Sequence, residues 1–522
     1  MFGAGAPKRA ARAVGHDTAV PNGAGPAAAP TFVSREMTRH APPPSRPSGR
    51  ASLTRVCARR SDAVHLPQLF GGRSKNADSR TVRVFGWGPK PRRARCPPVR
   101  PRSTLFPSNH LPQRQLSIVV IGAGAAGAMA AIFAAGQGAP VLLLERTRDG
   151  GRKILISGGG RCNVLPSAME PSQYFTASSP NSLRKILLSW PLEEQRRFFE
   201  ADVGIALALE HESGKLFPRS NRARDVRDGL LALARRRGAR IRFDAYVVGL
   251  EPGVDGGPWR VLLDGGEAIE AARVVIATGG LSVPQTGSDG TGIRIVRQLG
   301  HTLHDTYAAL TPLTSEPPAH ADLAGVSLTA HLEAPLERGS LAASGGFLFT
   351  HRGYSGPSVL NVSHAAVRAR RPADQPVYVR WTELDAAAWE RMLAGGGGGT
   401  VIGLLRRHLP TRLADALLAE GGIDDRRTLA QLRRDERARL VEQLTRYRLP
   451  WTGDEGYKKA EVTGGGVPLN EVDPRTLESR VVPGLHLCGE ILDCFGPIGG
   501  YNFCWAWSTG RAAGLGAAAG LG

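Results

Sequence analysis

The sequence predicts an α/β protein in which a parallel-sheet domain is interrupted by an insertion of short strands and helices, then completed by the C-terminal segment. Three observations carry that expectation. Between Ile118 and Leu144 an apolar run, a glycine-punctuated stretch of small residues and a second apolar run follow one another, the order of a βαβ unit. Apolar runs that end in glycine return at 273–280 and 484–490. Between those returns, from about Tyr307, the chain changes to short alternating runs and then to a helical composition.

Ile118 to Ile121 reads as a buried parallel strand, Ala125 to Ala135 as the helix it feeds and Val141 to Leu144 as the next strand. The intervening Gly122, Gly124 and Gly127 have the GxGxxG spacing of a dinucleotide cradle. In such a cradle the first glycine permits the tight turn, the second lets a pyrophosphate approach the backbone, and the third lets helix and strand pack closely, with the phosphates at the helix N-terminus. Glu145 ends the second strand, where an acidic residue receives a ribose hydroxyl and favours FAD or NAD over NADP. A membrane span is the rival reading, because 116–144 contains no charged residue and is long enough to cross a bilayer. Its five glycines and Pro140 favour the βαβ unit.

A glycine-rich loop, Gly150 to Asn163, follows, then helical segments around Ser182 to Glu200 and Arg222 to Arg237. Arg240 to Leu250, Trp259 to Leu263 and Arg273 to Ala277 read as strands, the last running into Thr278, Gly279 and Gly280. In the insertion, Leu328 to Glu333, Phe347 to Thr350 and Val377 to Trp381 read as strands of a small β-barrel or sandwich. Residues 383–448 read as helices around the spacer Gly395 to Gly399. Beyond Trp451 a strand-and-turn pattern runs to Trp507, before a small-residue helix fades into Ala517 to Gly522. The organisation expected is therefore a cofactor domain over 116–306 and 456–522, interrupted at 307–455 by a β-barrel with a helical subdomain.

The net charge of +21 is uneven. Before residue 115 there are 21 Lys and Arg against 4 Asp and Glu, leaving 46 against 42 for the rest. The first 115 residues also hold 16 of the 38 prolines, and such a segment cannot bury enough apolar surface to order itself. Residues 1–115 are expected to be a disordered basic extension. A nucleic-acid arm and a transit peptide are alternatives, but an upstream extension from an early start assignment is favoured. No apolar h-region follows the first basic residues, so a cytoplasmic location without a membrane partner is expected. Cys57, Cys96, Cys162, Cys488, Cys494 and Cys504 include no CxxC, which argues against a disulfide scaffold or a redox-active dithiol. His301 and His304 lack a third ligand nearby, so no metal site is expected.

Three segments fall in one order: the Gly122 fingerprint, Ile276 to Gly280, and Gly484 to Glu490. This order resembles the FAD-wrapping elements of glutathione reductase-type flavoproteins, with Glu490 in place of the usual Asp. Such a carboxylate accepts hydrogen bonds from a ribityl chain. Gly151 to Lys153 and Ser157 to Asn163 resemble, more narrowly, the signature loop of the BaiN/RdsA (YhiN-like) family of NAD(P)/FAD-dependent oxidoreductases. Matches follow in order at Gly214 to Pro218, Ala277 to Pro284 with Gly287, Gly353 to Pro357, Val462 to Val467 and Gly499 to Asn502. The resemblance covers roughly Ser117 to Gly514, and Gly346 departs from it, standing where members often carry Glu. It implies a Rossmann-like FAD domain of the glutathione reductase type interrupted by a β-barrel and a helical subdomain. The implied FAD contacts are Gly122, Gly124, Ala126, Gly127, Glu145, Arg152, Lys153, Asn163, Val247, Gly279, Glu490, Gly500 and Tyr501.

The chemistry expected is an FAD-dependent reduction of an electron-poor carbon–carbon double bond, the cofactor carrying the hard step. Cys162, with Arg161 beside it to favour a thiolate, and Tyr501 are candidate acids. His351 and Lys458 are weaker candidate acids, and Arg161, Asn163 or backbone amides are candidates for stabilising developing negative charge. The family resemblance implies two substrates, a uracil of ribosomal RNA that becomes dihydrouridine and a small steroid-like enone. An RNA would need a basic entrance, which Arg222, Arg224, Arg227 and Arg235 to Arg237 offer. The alternative is a non-catalytic flavin-binding module for RNA or protein interaction or redox sensing. No second GxGxxG follows a strand, and Gly287 to Gly292 has the wrong spacing for one, so NAD(P)H binds transiently over the flavin or another donor serves.

Overall fold

The computed structural model describes residues 118–369, 371–519 and 521. The expectation for residues 1–115, with Cys57 and Cys96, lies outside the described residues.

The expected βαβ unit is present as strand Ile118–Ile121, helix Ala125–Gly136 and strand Val141–Leu144. The first strand pairs in parallel with Val141–Leu144 on one side and Arg273–Ile276 on the other. Leu485–Leu487 and Arg240–Arg242 complete a five-stranded parallel sheet, in the order 485–487, 273–276, 118–121, 141–144, 240–242. The strands Ile118–Ile121 and Val141–Leu144 are buried throughout, as sheet covered on both faces requires. This order places the Gly122 turn, Ala277 to Gly280 and Cys488 to Glu490 side by side at the carboxyl ends of three neighbouring strands, where open α/β sheets bind ligands.

The helix Ala125–Gly136 is small and apolar all round, so it packs on more than one side. The long helix Tyr501–Ala519 crosses it at backbone contact. A Cβ on Gly510 would lie 2.3 Å from Ala126 O, and one on Gly514 2.3 Å from Ala130 O. That helix starts at Tyr501, well before the end of the strand-and-turn pattern expected through Trp507. Phe503, Trp505 and Trp507 read locally as strand residues, but burial of the two tryptophans against the first domain decides their state.

Other differences have equally local causes. Arg240 to Leu250 is two strands, because Asp244 turns the chain with φ +53°. Arg240–Arg242 stays in the parallel sheet, and Val247–Glu251 pairs antiparallel with Trp259–Leu263. The segment 182–200 breaks at Pro191 into helices Pro180–Leu188 and Leu192–Arg197, followed by a π-turn at Phe198–Val203. Part of the expected Gly150 to Asn163 loop is the short helix Arg152–Ile156.

A second hydrophobic core gathers residues from Leu313 to Trp451. Its sheet has seven strands, in the order 447–448, 378–380, 327–335, 340–350, 353–355, 313–314, 453–454. Its first and last strands, 447–448 and 453–454, belong to one continuous segment, in which Leu449 N donates to Val377 O and Thr452 N to Thr314 O, so the sheet curls until this segment borders both of its sides. Packed with it are the helix Pro357–Val367, which periodicity did not reveal, and helices Ala386–Ala394, Val401–Leu405, Thr411–Glu420 and Arg434–Thr445. No described helix is long and apolar enough to cross a membrane.

Candidate functional site

A cavity of about 1450 Å³, including the part open to solvent, runs along the carboxyl ends of the parallel strands. Its walls come from both parts of the interrupted domain. They include Gly122, Gly124, Ala126, Glu145, Arg152, Lys153, Asn163, Val247, Gly279, Glu490 and Gly500. The structure therefore brings together eleven of the thirteen expected cofactor contacts. The other two, Gly127 and Tyr501, lie outside the lining.

The three fingerprint glycines differ in what surrounds them. Gly122 turns with φ +99°, and a Cβ there would stand 2.6 Å from Ala277 O of the neighbouring strand end. A Cβ on Gly127 would stand 1.8 Å from Gly122 O, so helix and turn pack backbone to backbone. Gly124 has nothing within 4 Å of its Cβ position and lines the cavity. This is open space at the start of a helix without an acidic residue in its first turn, the setting that accepts a pyrophosphate. Glu145 is held by Ala123 N at 2.8 Å on Oε2 and by Thr147 N at 2.8 Å and Thr147 Oγ1 at 2.7 Å on Oε1. Three of roughly four acceptor positions are used, which leaves one for a ribose hydroxyl. Beside it Arg146 pairs with Asp289 and lies 4.3 Å over the Tyr246 ring. Gly287, Ser288 and Asp289, from the Gly287 to Gly292 run, line this same cavity.

A second polar group centres on Glu490. Its Oε2 accepts from Lys153 Nζ at 2.7 Å, and its Oε1 from Ser282 Oγ at 2.6 Å, Thr463 N at 2.9 Å and Thr463 Oγ1 at 2.8 Å. Burial pushes this carboxyl up, but the Lys153 charge and these donors outweigh it and hold it below the usual range. Lys153 also donates to Ser282 Oγ at 2.7 Å. Arg152 is held by Asp149 at 2.8 Å. The glycines, the open helix start, the Glu145 acceptor and the Lys153 cation are groups that fit FAD.

The expected catalytic residues lie elsewhere. Cys162 is fully buried, and burial pushes its thiol up to about 12, against a smaller opposing effect of its Ser157 hydrogen bond. Arg161 does not stabilise a thiolate, because its guanidinium pairs with Glu210 at 2.8 Å and lies 4.0 Å over the Phe217 ring. That corrects the reading of Cys162 as a reactive thiol. Tyr501 is bonded by Gln173 Nε2 at 3.1 Å and stands edge-on to Tyr174, and burial pushes its phenol up. None of the three lines the cavity. His351 and Lys458 are exposed and also lie outside it. His301 and His304 point to different partners, His301 to Glu471 at 2.6 Å and Ser479 at 2.9 Å, His304 to Asp493 at 3.7 Å.

The expected basic entrance is also only partly available. Arg227 is buried, donating to Asp149 O at 3.4 Å and Gly150 O at 3.3 Å, so it braces the loop before Arg152. Arg237 is held by Asp202 at 2.7 Å and Arg222 by Asp225 at 2.6 Å. Arg222, Arg224, Arg235 and Arg236 remain exposed along that helix.

Sequence reasoning missed Ser282, Thr463 and Glu461. Glu461 lines the cavity next to the buried strand Val462–Gly466. A charged residue directly before a buried apolar and glycine run was the available signal.

Residues 116–516 match the family model for the HI0933-like protein Rossmann domain. The chain is 34% identical over 400 residues to a ribosomal RNA dihydrouridine synthase of Escherichia coli (strain K12), covering 76% of this chain and 96% of that protein. It is also 34% identical over 410 residues to a 3-dehydro-bile acid delta(4,6)-reductase of Clostridium scindens, covering 77% of this chain and 98% of that protein. A solved 3-ketosteroid-delta4-(5alpha)-dehydrogenase from Rhodococcus jostii RHA1 is 16% identical with a TM-score of 0.40, covering 80% of this chain and 100% of that one. The match over 116–516 and the near-complete coverage of these relatives agree with the BaiN/RdsA resemblance and with the cradle: the chain belongs to the HI0933-like Rossmann family and is an FAD-dependent oxidoreductase.

Proposed function

We propose that this oxidoreductase reduces an electron-poor carbon–carbon double bond, either in a uracil of ribosomal RNA or in a small conjugated enone. The observation that carries the proposal is the cavity itself. Besides the residues of the cofactor cradle, its lining includes the apolar Val462, Cys494, Ile498 and Phe503, side chains of the kind that desolvate a planar acceptor. Two relatives of equal identity, named for different substrates, support a common reaction rather than a common substrate. Bound FAD supplies hydride chemistry. The chain's own residues bind and orient it through Gly124, Glu145 and Lys153, and exclude water at the apolar wall.

The exposed Arg222, Arg224, Arg235 and Arg236 support an RNA substrate, because they lie on the helix from which Arg227 braces the loop at the cavity. Dihydrouridine in ribosomal RNA from cells with and without the gene tests this directly. A dihydrouridine lost with the gene and restored by returning it is expected for the RNA substrate. Unchanged content contradicts that substrate. NAD(P)H is the electron donor we favour, bound transiently at the same cavity.

A further inference from the structure

Four carboxylates line the cavity, and they are not equivalent. Glu145 accepts from two backbone amides and a hydroxyl, Asp289 is paired with Arg146 and accepts from Thr291 N at 3.1 Å, and Glu490 accepts four hydrogen bonds. Glu461 accepts no side-chain hydrogen bond among the described residues, although its backbone is pinned at both ends. Its N donates to Leu310 O at 3.2 Å, and its carbonyl accepts from Ser282 Oγ at 3.3 Å. The side chain is exposed on the cavity wall, and the protein beside it removes part of the water a free carboxylate would have.

We propose that Glu461 is the proton donor of the reduction: it is the one carboxyl on the cavity wall that, among the described residues, no hydrogen bond or ion pair engages. The inference rests on the double-bond reduction proposed above. Lys153 supplies one cation to two carboxyl groups, and Glu490 takes it at 2.7 Å together with three further donors. Glu490 is thereby the group that stays ionised. For Glu461, burial raises the pKa, the Lys153 charge opposes this and the Glu490 charge adds to it, with a net rise. The two carboxyls thus shift in opposite directions, Glu490 down and Glu461 up, the pattern by which paired carboxyls take different roles.

In the step, a C–H bond forms at the β-carbon with hydride from the reduced cofactor, which gives up two electrons. The π pair moves to the α-carbon and takes the proton from Glu461, whose O–H bond breaks. The resulting carboxylate regains a proton from the acid of the bulk solvent once the product has left. Because the acid form is required, acceptor reduction should fall as pH rises through the raised Glu461 pKa.

The test compares wild-type, Glu461→Gln and Glu461→Asp holoenzymes. Flavin reduction by dithionite should stay within about threefold in Glu461→Gln, while reoxidation by the acceptor slows by about 100-fold or more, the scale of a lost general acid. Glu461→Asp should recover part of that rate. Independently of turnover, infrared difference spectra of the wild type should contain a protonated-carboxyl band that titrates above the ordinary carboxylate range and is absent from Glu461→Gln. Reoxidation of Glu461→Gln within threefold of wild type overturns the inference, as does the absence of that band. If the wild type reduces no double bond at all, the function proposed above fails, and the infrared titration alone decides whether Glu461 holds the proton. If Glu461→Gln does not fold, a shift of the band in Glu461→Asp decides it.

Discussion

Gly127→Ala should yield protein with less than a tenth of its FAD and a native state weaker by about 2–3 kcal/mol. The added methyl would stand 1.8 Å from Gly122 O, and both atoms belong to backbone that cannot swing away. Relief requires the helix Ala125–Gly136 to lift from the strand turn, and overpacking of this kind typically costs about 1–3 kcal/mol. The lift also meets resistance from the other side, because Gly510 and Gly514 hold the helix Tyr501–Ala519 against the same backbone. Gly124→Ala is the informative companion. With nothing within 4 Å of its Cβ position and an N-cap φ of −78°, this variant should keep the stability of the apo protein to within about 0.5 kcal/mol. Its methyl enters the space a pyrophosphate would use, so FAD retention should still fall. Denaturation midpoints of the two apo variants, with FAD content measured separately, check both halves. Equal stability losses would contradict the separate roles given to the two glycines.

Lys153→Met should have the second-largest effect. It leaves the Glu490 carboxylate with three donors from Ser282 and Thr463 but without its cation. Removing one partner of a largely buried ion pair costs about 3–5 kcal/mol. Lys153 and Glu490 side chains retain 27% and 15% of their exposure, so about 2–3 kcal/mol is expected. The pH dependence follows from the direction of the Glu490 shift. A carboxyl held below its unfolded value contributes stability that is present above the unfolded pKa and is lost as pH falls through the folded one. Without Lys153 the folded pKa rises, so the acid limb of the stability profile should move to higher pH. Urea denaturation of wild type and variant from pH 3 to 7 measures it. An unchanged acid limb would show that Lys153 does not set the charge of Glu490.

The parts legible in the sequence were those where one residue type answers one local demand. Gly122, Gly124 and Gly127 are needed because a turn, a cavity and a helix each leave room for no side chain or require none. Glu145 and Glu490 follow strand ends, and the strands meet in space because the sheet order places them together. Features set by distant packing were less legible. Tyr501 begins a helix because Trp505 and Trp507 bury against the first domain, and no local pattern separates that from a strand. Cys162 sits beside Arg161 in sequence, but the arginine points to Glu210 and Phe217. Arg227 is one arginine in a basic run, distinguished by its burial and its contacts with the Asp149 and Gly150 carbonyls. Glu461 became visible through the lack of hydrogen bonds to its side chain, a property of the folded cavity.

Anaerobic reoxidation of the reduced holoenzyme tests the central claim most directly. With oxygen excluded and the flavin reduced, addition of uracil-containing ribosomal RNA or of a conjugated enone should restore the oxidised flavin spectrum. One saturated double bond should form per flavin reoxidised. A flavin that is readily reduced, yet is reoxidised by neither class of acceptor, would contradict the account.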